Sequence, residues 1–316
     1  MGNYLITRRG RLHLHRFRIL VIDPISNNTL EGIREMDEVE EVHYDKYLDE
    51  SSILELLPNY EVLVLRSGYT ITHEWLEKAI NLKCVIRAGV GTDNIPQQLL
   101  QEMRIKFYNI PHATTTSVAE YVVGSILIQL RNLIPAHLSI QKGEWKKAEF
   151  IGNELSGKSI GLIGYGRIGQ EIDRLLSPFN VNVLYYSRTK KRNVAHARYG
   201  TLEEIAKKCE VISVQVPLTR ETYNLLDENF FSSIKNPVTL INVARYNVIN
   251  MKYLKKALIN GKVRSCLIDP FERGYDISPY DELPIYFLPH LGGNTFEAQD
   301  RIGEEIKSII RELTYK

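Results

Sequence analysis

The stretch Gly161-Leu162-Ile163-Gly164-Tyr165-Gly166-Arg167-Ile168-Gly169 decides the fold. It closes a short apolar run, Ser159-Ile160-Gly161-Leu162-Ile163, of the kind buried in a parallel sheet. It opens Gln170-Glu171-Ile172-Asp173-Arg174-Leu175-Leu176, which has helical spacing. Gly164 permits a tight turn, Gly166 lets backbone approach a pyrophosphate, and Gly169 lets the helix pack on the strand. The helix start adds free N–H groups and the positive end of its dipole. A second strand at residues 181–186 follows at βαβ distance. Glycine patterns alone are weak signals, but between a strand and a helix this one implies a dinucleotide site.

The end of that second strand bears on which dinucleotide. An NAD site usually places Asp or Glu there, to accept from the ribose hydroxyls. Here Ser187 stands in that place, followed by Arg188, Thr189, Lys190, Lys191 and Arg192. A carboxylate would repel a 2′-phosphate, whereas Ser with a cationic cluster would bind one by charge-assisted hydrogen bonds. The expectation is NADP(H) over NAD(H).

Composition fits a globular enzyme. The chain has 316 residues, enough for two domains, with 44% hydrophobic and 25% charged residues and a net charge of +2. That balance gives no case for nucleic acid. Cys84, Cys209 and Cys266 are scattered, so neither a disulfide framework nor a metal site is indicated, and a reducing cytoplasm is expected. Arg8, Arg9, Arg11, Arg16 and Arg18 precede no apolar stretch, so the N-terminus reads as a poorly ordered basic extension rather than a secretory signal. No run reaches the length of a membrane span.

Elsewhere strand and helix signals alternate. Residues 18–24, 61–66 and 83–88 read as strands, with amphipathic segments around 50–58 and 73–81. A long apolar helix pattern covers 116–133, and strands follow at 210–216, 238–243 and 264–269. This rhythm means parallel sheets whose ligands sit beyond the carboxyl ends of strands. Three such ends carry chemistry: Asn242-Val243-Ala244-Arg245, Leu267-Ile268-Asp269-Pro270 and Leu288-Pro289-His290-Leu291-Gly292-Gly293. Reduction of a 2-oxo acid needs a proton donor at the carbonyl, for which His is suited near neutral pH. It also needs a guanidinium to hold the carboxylate, which Arg does bidentately.

With these motifs in order, the chain resembles the D-isomer-specific 2-hydroxyacid dehydrogenases, from about Phe17 to the C-terminus. The matching stretches include Arg66-Ser67-Gly68-Tyr69-Thr70, residues 87–95, Ser117-Val118-Ala119-Glu120, the glycine fingerprint, Val216-Pro217-Leu218-Thr219 and the strand ends above. The resemblance implies two doubly wound parallel-sheet α/β domains. A Rossmann nucleotide domain, residues 101–289, would be inserted in a flavodoxin-like substrate domain made of 1–100 and 290–316. It also implies a homodimer formed through the nucleotide domains, and a cleft that closes over cofactor and substrate.

By position, the resemblance makes His290 the acid/base and Arg245 the substrate-orienting guanidinium. Backbone amides of Val90 and Gly91 would bind the substrate carboxylate. Asp269 would hydrogen-bond the nicotinamide carboxamide, and Tyr165, Gly166, Arg167 and Ile168 would wrap the pyrophosphate. Val216 and Pro217 would line the cofactor site with Gly164, Gly169, Ser187, Arg188 and Thr189. Arg66, Ser67 and Asn109 match a substrate-phosphate site, which favours 3-phosphoglycerate and phosphohydroxypyruvate. An NADPH-dependent glyoxylate or hydroxypyruvate reductase is the alternative. No regulatory domain follows residue 316, so feedback through one is not expected.

The chain departs from the family pattern three times. Tyr246 follows Arg245 where Gly is usual, Ser187 replaces the ribose-binding acid, and Gly274 replaces a Glu that pairs with the His. Glu272 or Asp276 could supply the missing carboxylate. A cofactor-sensing protein with weak turnover is the reading from another class that Gly274 motivates.

Overall fold

The computed structural model describes residues 15–46, 48–192, 194, 196–271 and 274–314. The basic residues Arg8, Arg9 and Arg11 lie outside them, as does Glu272. The chain divides into two compact units, Met1–Thr114 with Thr295–Lys316, and Thr115–Asn294.

In the first unit five strands are all parallel. They are β1 (Phe17–Val21), β2 (Val39–Tyr44), β3 (Val62–Leu65), β4 (Cys84–Arg87) and β5 (Lys106–Asn109), in the order β2-β1-β3-β4-β5. That is the flavodoxin-like winding. Every residue of β3 and β4 is buried, because helices cover both faces. The helix Phe296–Thr314 brings the chain back and buries Ile302, Ile306, Ile310 and Leu313 against Phe17, Ile19 and Val21. It closes on the helix Asn27–Arg34 at Gly303, where any Cβ would collide with the Thr29 hydroxyl.

The second unit holds seven parallel strands. They are β6 (Ser159–Ile163), β7 (Asn182–Tyr186), β8 (Arg198–Tyr199), β9 (Val211–Val214), β10 (Val238–Asn242), β11 (Val263–Ile268) and β12 (Ile285–Phe287). Their order is β12-β11-β10-β9-β6-β7-β8. The chain starts mid-sheet at β6, winds outward to β8, then returns to β9 and winds the other way. This is the Rossmann order with one strand added, and its switch point lies between β6 and β9. The apolar helix pattern forms the helix Thr115–Leu130, packed against the helix Arg167–Leu176 that opens at the fingerprint.

Both domains are therefore doubly wound and parallel, with the second inserted in the first. The crossovers fall later than the sequence places them. Strand β5 pairs with β4, so the first unit runs past residue 100 to Thr114. Residues 290–294 stay with the second unit, where the Asp269 carboxylate holds the amides of Leu291 and Gly292.

Candidate active site

The phosphate turn sits at the switch point. Gly164 adopts φ +103°, and a Cβ there would lie 2.8 Å from the Gln215 carbonyl oxygen, so the strand end after β9 presses against the turn. At Gly169 a Cβ would strike the Gly164 carbonyl, which fixes helix against strand. Gly166 differs: a Cβ there would meet no atom within 4 Å. Nothing among the described residues requires glycine at that position, whereas a phosphate laid against the backbone would. The helix beginning there has no side-chain cap, and its first internal bond is donated by Gln170 N–H to the Gly166 carbonyl. Its opening amides are thus presented to an anion. The turn fits a dinucleotide pyrophosphate.

Gln215 holds this turn and escaped the sequence reading. Its amide donates to the Gly164 carbonyl at 2.6 Å and its oxygen accepts from the Ser213 hydroxyl at 2.8 Å. A polar residue directly after the buried strand Val211–Val214 was the available signal. The Tyr165 side chain is 2% exposed and turned inward, which leaves its backbone to wrap a pyrophosphate.

Beyond β7, the Ser187 hydroxyl donates to the Thr189 carbonyl at 2.7 Å and closes a tight bend. Arg188, Thr189 and Lys190 are exposed on it, and the Arg188 charge helps hold the Glu221 carboxyl below its usual range, after the larger effect of the Thr219 hydroxyl. Val216, half-buried, and Pro217, exposed, follow Gln215 after β9.

The three chemical strand ends lie side by side. β10, β11 and β12 are adjacent, and they deliver Arg245, Asp269 and His290 from the same edge of the sheet. Asn242, wholly buried, shapes the first end by accepting from Ala244 N–H and donating to the Arg245 carbonyl. Arg245 Nη1 donates to the Ala244 carbonyl at 2.8 Å. Asp269 is 1% exposed and accepts from Leu291 N–H at 2.8 Å and Gly292 N–H at 2.7 Å. Burial raises its pKa, against which these amides and that of His290 work. The carboxylate therefore fixes the backbone that carries His290, which takes the left-handed φ of +65°. Tyr121 stands beside this carboxylate, its hydroxyl pKa raised by burial and by Asp269.

Asp276 lies on the loop after β11, two residues beyond Gly274. It accepts from Ser278 N–H at 2.9 Å and caps a turn. Gly274 takes φ +83° in the same loop. Tyr246, in the position where Gly is usual, packs its ring 5.7 Å from Phe271 and 5.8 Å from Tyr275, tying the Arg245 loop to the loop after β11.

The first unit presents its own strand-end cluster. The buried Asp23 carboxylate accepts from Arg66 N–H at 2.6 Å and Gly68 N–H at 3.3 Å, and only glycine fits at 68 because a Cβ would collide with that carboxylate. Burial raises the Asp23 pKa and lowers that of Arg66. Arg66 Nη1 donates to the Pro24 carbonyl at 3.3 Å, and Ser67 is exposed. Asn94, unremarked in the sequence, ties the loop by donating to the carbonyls of Arg66 and Tyr69. The Asn109 amide donates to the Val90 carbonyl at 3.0 Å, so it supports the loop bearing Val90 and Gly91.

Among the described residues no cluster of three or more His, Cys, Asp or Glu is placed to hold a metal ion, and no helix is long and apolar enough to cross a membrane. A Rossmann sheet with a phosphate turn, and Arg, Asp and His on three adjacent strand ends, defines a nicotinamide-nucleotide oxidoreductase.

Residues 123–292 match the family model described as "D-isomer specific 2-hydroxyacid dehydrogenase, NAD binding domain". A hydroxypyruvate reductase of Thermotoga maritima is 33% identical over 94% of this chain and 99% of its own length. A D-3-phosphoglycerate dehydrogenase of Methanocaldococcus jannaschii is 35% identical over 93% of this chain, which spans 57% of that relative. An NAD-dependent formate dehydrogenase from Staphylococcus aureus, solved with NAD, superposes with a TM-score of 0.84 at 29% identity, covering 94% of this chain and 95% of that one. The chain belongs to the D-isomer specific 2-hydroxyacid dehydrogenases. It is an NAD(P)-binding oxidoreductase of the 2-hydroxyacid dehydrogenase class, acting on a CH–OH group.

Proposed function

We propose that the chain interconverts a D-2-hydroxy acid and its 2-oxo acid with NADP(H) preferred over NAD(H), and that its substrate pair is 3-phosphoglycerate and phosphohydroxypyruvate. The observation that carries the reaction is the alignment of Arg245, Asp269 and His290 on adjacent strand ends of the nucleotide-binding sheet. The nicotinamide supplies or accepts the hydride. His290 gives a proton to the carbonyl oxygen in reduction and takes it back in oxidation. Arg245 orients the substrate carboxylate, and the amides of Val90 and Gly91 bind it. Asp269 holds the His290 backbone and receives the carboxamide on its remaining lone pairs. Arg66 and Ser67 bind the substrate phosphate, with Asn109 and Asn94 shaping their loops. Ser187, Arg188 and Thr189 take the 2′-phosphate.

One observation favours a second reading, reduction of hydroxypyruvate or glyoxylate. The Asn109 amide is engaged by the Val90 carbonyl, which leaves Arg66 and Ser67 to bind a phosphate. Purified protein assayed with NADPH and NADH against phosphohydroxypyruvate, hydroxypyruvate and glyoxylate separates the two. Arg66→Ala should raise KM for phosphohydroxypyruvate more than about tenfold, the worth of a charge-assisted hydrogen bond, and leave that for glyoxylate nearly unchanged. If both respond alike, the reductase reading replaces the first. Arg188→Ala should weaken NADPH far more than NADH.

The protein is proposed to be a cytoplasmic homodimer. The helix Leu133–Gln141 and the segment after it leave Leu133, Leu138, Ile140, Trp145 and Ile151 exposed, an apolar face suited to cover by a second copy. Sedimentation at micromolar concentration should give twice the chain mass.

A further inference from the structure

The loop after β7 is stapled to the underside of the phosphate turn. Tyr165, between the first two glycines, stacks its ring on Tyr185, with centroids 4.1 Å apart and planes at 26°. The Tyr165 hydroxyl donates to Asp173 Oδ2 at 2.5 Å, and Asp173 belongs to the helix that opens at the turn. The same oxygen accepts from Ala197 N–H at 3.3 Å. The Tyr185 hydroxyl accepts from Lys191 N–H at 2.9 Å, and Tyr199 meets the Tyr185 ring edge-on at 5.5 Å. Lys191 and Ala197 lie on the segment that carries Ser187, Arg188 and Thr189. Turn, helix and loop thus share one buried network.

Such a network is an expensive way to fill a core. Asp173 is 1% exposed, Tyr165 2% and Tyr185 1%, where aliphatic side chains would pack without polar atoms to satisfy. The Tyr165 and Tyr185 hydroxyls and Asp173 Oδ2 each meet a specific partner, and two of those partners are backbone amides on the segment of the basic loop, while Asp173 Oδ1 meets none among the described residues. A loop of exposed cations binds a phosphate well only if its geometry is set beforehand, because ordering long side chains on binding costs affinity. We propose that Tyr165, Asp173 and Tyr185 are positioning residues that set the NADP-selective loop relative to the phosphate turn. Affinity for the 2′-phosphate then depends on a hydrogen bond beneath the loop as well as on the cations that touch the phosphate. The proposal rests on the reading of Ser187 and Arg188 as a 2′-phosphate site.

Tyr185→Phe keeps the ring stack and removes only the acceptor for Lys191 N–H. Affinities of the full-length wild type and variant for NADPH, NADH and 2′,5′-ADP are measured by titration calorimetry. Those for NADPH and 2′,5′-ADP should fall about fivefold, the worth of one net hydrogen bond. NADH affinity, and kcat at saturating NADPH, should stay near their wild-type values. Equal weakening of NADPH and NADH, or no change in either, overturns the proposal. Amide hydrogen exchange without cofactor gives a second measurement: Lys191 should exchange faster in the variant, and unchanged exchange overturns the proposal too. If wild type prefers NADH, the 2′-phosphate reading fails, and the exchange of Lys191 still decides whether Tyr185 holds the loop.

Discussion

Asp269 shows how a single buried carboxylate can organise the site. It takes two backbone amides from the segment that carries His290, and its burial raises its pKa above the ordinary 3.8. Asn in its place offers one acceptor and one donor, so one amide would face another N–H. An unsatisfied buried group of this kind costs about 1–3 kcal/mol, enough to shift the His290 backbone. Asp269→Asn should therefore lower kcat/KM for reduction at least about tenfold while the protein still folds, as steady-state rates and thermal melts would show. The pH dependence has a definite sign. A carboxyl whose folded pKa is raised contributes stability fully present below 3.8, which is lost as pH rises through the folded value. The unfolding free energy of wild type minus that of the Asn variant should be greatest below pH 3.8, fall across that window, and be flat above it. A flat difference throughout would mean that Asp269 titrates normally. Arg245, Asp269 and His290 were legible because each interrupts or ends an apolar run. Asp23, Asn94 and Gln215 were not, since these partners lie 25–51 residues away and only the fold brings them together. The two bonds of Asn94 and those of Asp23 fix the Arg66 loop from within the first unit.

The three glycines of the phosphate turn divide between scaffold and ligand. At Gly169 the obstacle is the backbone oxygen of Gly164, which cannot swing aside, whereas at Gly166 the space is open. Gly169→Ala should overpack the turn by about 1–3 kcal/mol and lower Tm by roughly 2–10 °C. Gly166→Ala should leave Tm nearly unchanged and weaken NADPH binding strongly, because the new methyl would occupy the approach to the pyrophosphate. Calorimetry of both variants checks the contrast, and a large loss of Tm at 166 would contradict it. The fingerprint announced its own strand, turn and helix, because glycine spacing and apolar periodicity agreed. Other elements were hidden. β2 (Val-Glu-Glu-Val-His-Tyr) is an edge strand with an exposed, polar side, and β5, β8 and β12 have only two to four residues each. Short strands are decided by pairing with neighbours, which local pattern does not carry.

At the scale of the whole molecule, two parallel sheets and the insertion of one unit in the other could be read from the alternation of strands and helices together with family resemblance. The crossover points could not. They depend on β5 joining β4 and on Asp269 retaining Leu291 and Gly292, both long-range pairings. The cysteines distribute between the two cores: Cys84 lies in β4 of the first unit, Cys209 before β9 and Cys266 in β11 of the second. All three are buried free thiols, and burial pushes the pKa values of Cys84 and Cys209 up to about 12 and raises that of Cys266 as well. At pH 8 the first two are ionised to only about one part in ten thousand, so the native protein should react with thiol reagents only through opening of its cores. The NAD(P) binding domain is the second unit. When opening is in rapid equilibrium, cofactor at a hundred times its Kd should slow alkylation of Cys209 and Cys266 about a hundredfold. Cys84 should be slowed less. Mass spectrometry of tryptic peptides after timed alkylation reads each site separately. Equal slowing of Cys84 would mean that the two cores open as a single unit, and no slowing at Cys209 and Cys266 would remove the dinucleotide from the second unit altogether.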